Sequence, residues 1–196
     1  MAITINGSGT LSGVTAGLTA ASMPTGSVVQ VVQSFSGVKT QTTSSDTSAA
    51  LSCPAAVTIT PTSSSNKILI MFHGSWKFGN QNDVAFWLLR GSTIIGNSTE
   101  TTENTICFAA DGQSSQYDYH PQVVSFNYLD SPSTTNATTY TVKGMGIQGS
   151  RSAENRALAV AGSNNSEEFV WGGSSATSGN ETLAGNMVMI AQEIKA

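Results

Sequence analysis

Gln122-Val-Val-Ser-Phe-Asn-Tyr-Leu-Asp130 sets Val124, Phe126 and Tyr128 on one face at a spacing of two. That is the period of a strand whose side chains alternate between faces. Lys67-Ile-Leu-Ile-Met-Phe-His73 is instead apolar on both faces, which predicts a central strand. Outward from these two, similar runs recur. Ser27-Val-Val-Gln-Val-Val-Gln-Ser34 reads as a first strand, followed by a polar loop over 39–48 and strands over 49–53 and 56–61. Residues 83–96 read as two strands about a turn at Gly91, and 105–110, 138–145, 156–161 and 186–194 complete the set. Residues 152–161 are also acceptable as a helix. Roughly ten short strands separated by Gly, Ser and Asn loops predict an all-β fold: an antiparallel β-sandwich of jelly-roll type.

The composition suits that reading. Ser and Thr fill 52 of 196 positions, and charged residues only 10%, against about 25% in average soluble domains. Apolar residues still reach 39%, enough for a core. Eight Lys and Arg in a chain of net charge −4 argue against a nucleic-acid face. Charge is uneven: residues 1–98 carry +2 (four cations, two acids) and 99–196 carry −6 (four cations, ten acids). Solvated loops explain that asymmetry. No apolar run approaches the ~20 residues of a membrane span, and Met1-Ala-Ile-Thr-Ile-Asn6 lacks the basic and apolar regions of a signal peptide. Cys53 and Cys107 each sit in an apolar stretch and read as buried thiols, with a disulfide left open.

Residues 1–26 stand apart from 27–196. They carry no charged side chain, and Ile3, Ile5, Leu11, Val14 and Leu18 are thinly spaced among Gly, Ser and Thr. Such a stretch cannot offset its own ordering entropy. It is expected to be an extended N-terminal attachment arm that orders on a partner, with Met23-Pro24-Thr25-Gly26 marking its junction with a β-sandwich domain over 27–196.

No chemistry stands out. His73 and His120 have no ligand partner at metal spacing, and the loop over 111–118 lacks dense acidic ligands. Asp118 and His120 lack an identifiable serine, and Glu167 and Glu168 are adjacent, hence on opposite faces of any strand. Gly144-Met-Gly-Ile-Gln-Gly149 matches a dinucleotide fingerprint, but no strand–helix–strand rhythm surrounds it, and its glycines are expected to end a strand. Trp76, Phe78, Phe86 and Trp87 are assigned to the core. Trp171, beside loop-forming glycines, is the candidate for surface recognition of a sugar, against the reading that it caps the sandwich. No catalytic residue, metal site or cofactor is expected, and the protein is not read as an enzyme.

Met1-Ala-Ile-Thr-Ile-Asn-Gly-Ser-Gly-Thr-Leu-Ser-Gly-Val14 resembles the opening of tail-fibre-type structural proteins of cyanobacterial phages. Val28-Val-Gln-Val-Val, Thr58-Ile-Thr-Pro, Ser65-Asn-Lys-Ile-Leu-Ile, Leu88-Leu-Arg-Gly-Ser and Tyr128-Leu-Asp-Ser-Pro are similar to the β-sandwich of the same proteins. Thr139-Tyr-Thr-Val-Lys-Gly and the terminal apolar strand also look like the trimeric tumour-necrosis-factor/C1q type of jelly roll. The resemblance implies a virion location and a tail fibre or host-attachment role, with capsid decoration as the alternative; a lectin or carbohydrate-active enzyme is the less favoured reading, from a different class. It implies partners among other virion proteins (tail adaptor or capsid) and a host surface glycan, while charge and hydropathy leave no nucleic acid and no membrane expected. A homotrimer is expected, with Val29, Val31, Ile190 and Ile194 lining its axis.

Overall fold

The computed structural model describes residues 4–5, 11–12, 19, 22–38, 40–41, 50–78, 83–96, 106–110, 122–147, 169–172 and 185–196. Within residues 1–26, β1 (Thr4–Ile5) pairs antiparallel with β2 (Leu11–Ser12), Ile5 opposite Leu11. Ile3, Val14 and Leu18 lie outside the described residues. The body contains β3 (Val28–Ser36), β4 (Thr40–Gln41), β5 (Leu51–Ser52), β6 (Val57–Ile59), β7 (Lys67–Phe78), β8 (Asp83–Arg90), β9 (Thr93–Ile95), β10 (Cys107–Ala110), β11 (Gln122–Asp130), β12 (Thr138–Ile147), β13 (Phe169–Trp171) and β14 (Met187–Ile194). All pairings are antiparallel, and the described residues contain no α-helix.

The body strands make two sheets. In one, β3 and β4 lie end to end beside β14 and β13, which lie end to end along one edge of β7, with β11 along its other edge. In the other, β5 and β6 lie beside β12, then β8, then β9 and β10 end to end. The pairing is nested: β3/β4 with β13/β14, β5/β6 with β12, β7 with β11, β8 with β9/β10. The chain therefore behaves as one long hairpin folded over into two layers.

Alternation decides which face is buried. Ile68, Ile70, Phe72 and Trp76 of β7, Val124 of β11 and Met187, Met189 and Ala191 of β14 meet Val57, Ile59, Val84, Phe86, Leu88, Tyr140 and Val142 from the second sheet in one core. Each such aliphatic or aromatic side chain contributes about 1.5–3 kcal/mol on burial. Phe126 and Tyr128 pack against the same core, so the face expected of β11 is the inward one. β7 has partners on both edges, the central place its apolar run demands. β8 and β9 are joined through Gly91, whose φ of +59° is the conformation a primed hairpin turn reserves for glycine.

Three local readings change. Thr40 and Gln41, within the stretch read as loop, form β4 because β13 offers them an edge. Phe169–Trp171, read as loop-flanked, is β13, paired to β7 and β4. Gly144 and Gly146 sit inside β12 rather than at its end. At Gly144 a Cβ would stand 2.5 Å from the Phe169 ring and 2.9 Å from that of Trp171, so the missing side chain makes room for the aromatic core. The strand or helix over 156–161 lies outside the described residues.

Candidate functional site

Three arrangements of polar or apolar groups stand out, and each grows from strand ends or strand faces. The first bolts the two sheets together at one end. Arg90, closing β8, reaches Asp130, closing β11, with one nitrogen 3.0 Å from both carboxylate oxygens. Tyr140 of β12 donates its hydroxyl to the same carboxylate at 2.7 Å. Burial raises the Tyr140 pKa, the Asp130 hydrogen bond and charge raise it further, and Arg90 opposes them. Every group is satisfied by another within the cluster, which makes it a strut.

The second arrangement surrounds Glu193, fully buried near the end of β14. Its carboxylate accepts from Gln30 Nε2 at 2.6 Å, Thr62 N at 2.7 Å, Thr62 Oγ1 at 2.8 Å and Asn66 Nδ2 at 2.7 Å. Burial pushes the carboxyl up, but the hydrogen bonds from Asn66, Gln30 and Thr62 outweigh it and hold the group below its ordinary range. Next to it, Gly26 N donates to Lys195 O, Lys195 N to Ser27 O and Ala196 N to Asn66 Oδ1. Lys195 Nζ reaches the Met23 carbonyl. The last residues of the chain are thus knotted to residues 23–27, where the body begins.

The third is a surface. On the face of the first sheet turned away from the core, adjacent strands align Val31, Gln192, Leu69 and Leu129 in one row. Gln33, Ile190, Met71 and Asn127 form the next, and Phe35, Val188, His73 and Ser125 the one after. Phe35 is 59%, Val123 60%, Val31 55% and Leu129 48% exposed. The outward face of the second sheet differs: Ala85, Trp87 and Leu89 are all buried, with Ala50 and Ile94 packed on them.

The residues singled out from sequence fall unevenly on this frame. Trp171, the candidate sugar platform, is fully buried. Its ring meets Phe72, Phe86 and Phe169, and its indole N–H donates to Leu51 O at 3.0 Å. It offers no face to a ligand because β13 turns it inward beneath β12. Val31, Ile190 and Ile194 do share the outward face, whereas Val29 falls at the register shift between β3 and β14 and has no cross-strand partner. Ile5 and Leu11 are paired in backbone register. Asp118, His120, Glu167 and Glu168 lie outside the described residues.

Among the described residues no group of three or more His, Cys, Asp or Glu side chains is placed to hold a metal. Cys53 is a free thiol that burial pushes up to about 11, against a lowering hydrogen bond from the Ala55 backbone. At neutral pH it is a protonated core residue rather than a nucleophile. Sequence reasoning missed Glu193, a lone acid in an apolar strand, whose signal was the polar pair Thr62 and Asn66 in the turn before β7. It also missed that β11 turns Val123 and Leu129 outward into solvent. Comparison of the sequence with models of protein families and with curated proteins finds no match.

Proposed function

We propose that this chain is a bacteriophage virion structural protein, a tail-fibre or host-attachment component, and that its body is a jelly roll of the tumour-necrosis-factor/C1q type that associates as a homotrimer. The observation that carries this reading is the nested strand order. Two sheets fed alternately by the strand pairs of one folded-over hairpin support the reading as a double-sheet jelly roll, an architecture recurrent in viral capsid and lectin domains. Fold alone names no function, so two further features support the choice. The polar clusters are struts satisfied from within, as a passive, durable scaffold needs. The opening 26 residues carry no charge, so they can lose solvent on a neighbouring protein without stranding an ion.

In this account residues 1–26 dock on other virion proteins through Ile3, Ile5, Leu11, Val14 and Leu18, and the body meets the host. With Trp171 turned into the core, the lectin reading loses its ring. Particle incorporation tests the proposal. Full-length protein and a chain lacking residues 1–22 are supplied together to assembling particles, leaving residues 23–27 to hold the C-terminal knot. Only the full-length chain is expected in purified virions. Equal incorporation of the two would place docking on the body, and exclusion of both would remove the virion reading.

A further inference from the structure

Residues 23–27 lead from the N-terminal arm into β3, and they do so through a reversal. Ser27 N donates to Pro24 O at 3.1 Å, and Gly26 takes a φ of +86°, as at the third position of a type II turn. That turn is fastened to the end of β14. Gly26 N donates to Lys195 O at 2.8 Å, Lys195 N donates to Ser27 O at 2.9 Å, and Lys195 Nζ reaches the Met23 carbonyl. Ala196 N donates in turn to Asn66 Oδ1 at 3.2 Å. Residues 194–196 therefore set where the arm leaves the body.

One carboxylate holds those residues in place. β14 pairs regularly with β3 from Met187 to Glu193 and then slips, so that Ile194 faces Val28. Such a shift disrupts the ladder locally. At the slip, buried Glu193 accepts from Gln30 of β3 on Oε2, and from Thr62 N, Thr62 Oγ1 and Asn66 Nδ2 on Oε1. Asn66 is the link, since its amide nitrogen is held by Glu193 while its oxygen receives Ala196 N. All four donors are neutral, and the site has no place for a proton on the acid. A proton on Oε2 would meet the Gln30 amide, and one on Oε1 would meet three donors.

Other titratable groups surround it. Among the described residues these are Asp130, in the same cross-strand row beyond Ile68 and itself tied to Arg90 and Tyr140, then Lys67 and Lys195 beside the row, and the carboxylate of Ala196. Asp130 braces the two sheets, whereas Glu193 alone binds the segment that carries Ala196.

We infer that Glu193 is the keystone of an acid-sensitive latch: its protonation frees residues 194–196, and with them the turn at 24–27, while the two-sheet body stays folded. Opening is local because few bonds hold this chain end, whereas β7 is paired along both edges. With the carboxyl held below its ordinary 4.5, the latch is closed at neutral pH and opens as the pH falls through the folded value. The latch belongs to the body. Its use, changing the arm's exit from fixed to free, rests on residues 1–26 being the docking arm proposed above.

Amide hydrogen exchange of the full chain at pH 7 and pH 3, expressed as protection relative to the unfolded rate at each pH, tests the latch. Gly26, Thr62 and Lys195 are expected to lose protection about 10- to 100-fold in acid, as the loss of hydrogen bonds to a charged acceptor implies. Ile70 of β7 and Leu88 of β8, reached by opening of the whole body, should stay roughly 100-fold better protected than those three. Glu193→Gln should show the weak protection already at pH 7, with no further step in acid. Latch amides that keep their protection at pH 3, or that match Ile70 and Leu88 there, contradict the inference. An acid step that survives in Glu193→Gln removes Glu193 as the keystone. The wild-type comparison of Gly26 with Ile70 decides the matter without any variant. Virion incorporation plays no part in it, so failure of the latch and failure of the docking arm are separate results.

Discussion

Asp130, at the end of β11 in one sheet, accepts the Tyr140 hydroxyl, on β12 in the other, at 2.7 Å. With Arg90 3.0 Å away on β8, this is a polar tie between layers joined mainly by apolar packing. Tyr140→Phe removes one hydrogen bond to a charged acceptor and should cost about 1.5–3 kcal/mol. Asp130→Ala should cost more, because it strands both the buried hydroxyl and the guanidinium. Urea midpoints of the two variants check the order; equal or negligible losses would mean the tie is dispensable.

Glu193 makes stability depend on acid. Its folded pKa is held below the ordinary 4.5, so the carboxylate's contribution is complete at neutral pH. It is lost as the pH falls below about 4.5, through the folded value. Glu193→Gln turns an amide donor toward the donors of Gln30, Thr62 and Asn66, and should cost about 1–3 kcal/mol at pH 7. Melting curves from pH 7 to 3 should show a shallower acid limb in the variant. An unchanged limb would assign acid sensitivity to other carboxyls.

Gly144→Ala should destabilise the protein by about 1–3 kcal/mol, because the new methyl must displace the Phe169 and Trp171 rings. Gly37→Ala is the control: its Cβ meets only Asn186 Oδ1 at 3.6 Å, and its effect should stay within about 0.5 kcal/mol. Thermal melts of the pair decide it.

How much of this was readable beforehand follows from which physics writes itself into local sequence. The alternation of Val124, Phe126 and Tyr128 and the unbroken run after Lys67 specified a half-covered strand and a central one, and both are found. Of the two readings of Trp171, burial is the one found, but its place in a strand is hidden because glycines on its C-terminal side mimic a loop, and pairing of Phe169–Trp171 with β7 is a long-range contact no local pattern encodes. Glu193 was passed over for the same reason: its donors come from residues 30, 62 and 66. Which outward face stays exposed depends on what each sheet packs against, and strand periodicity is blind to that.

Cys53 should be inert in the folded state. In a Cys107→Ser background, a thiol reagent at pH 8 is expected to label the protein only after denaturant is added, since burial keeps the Cys53 thiol protonated with a pKa of about 11. Rapid labelling of the native chain would show that the core around Ala55 and Val57 opens readily.

The account's central claim is a place on a virion surface, and imaging of particles carrying a label fused after Ala196 tests it most directly. Residues 1–26 are expected to dock inward and the body to project, so label should appear confined to the tail and clear of the shell. Label spread over the whole shell would make this a capsid decoration protein. Particles without label, from cells in which the tagged chain is made and folded, would contradict the claim outright.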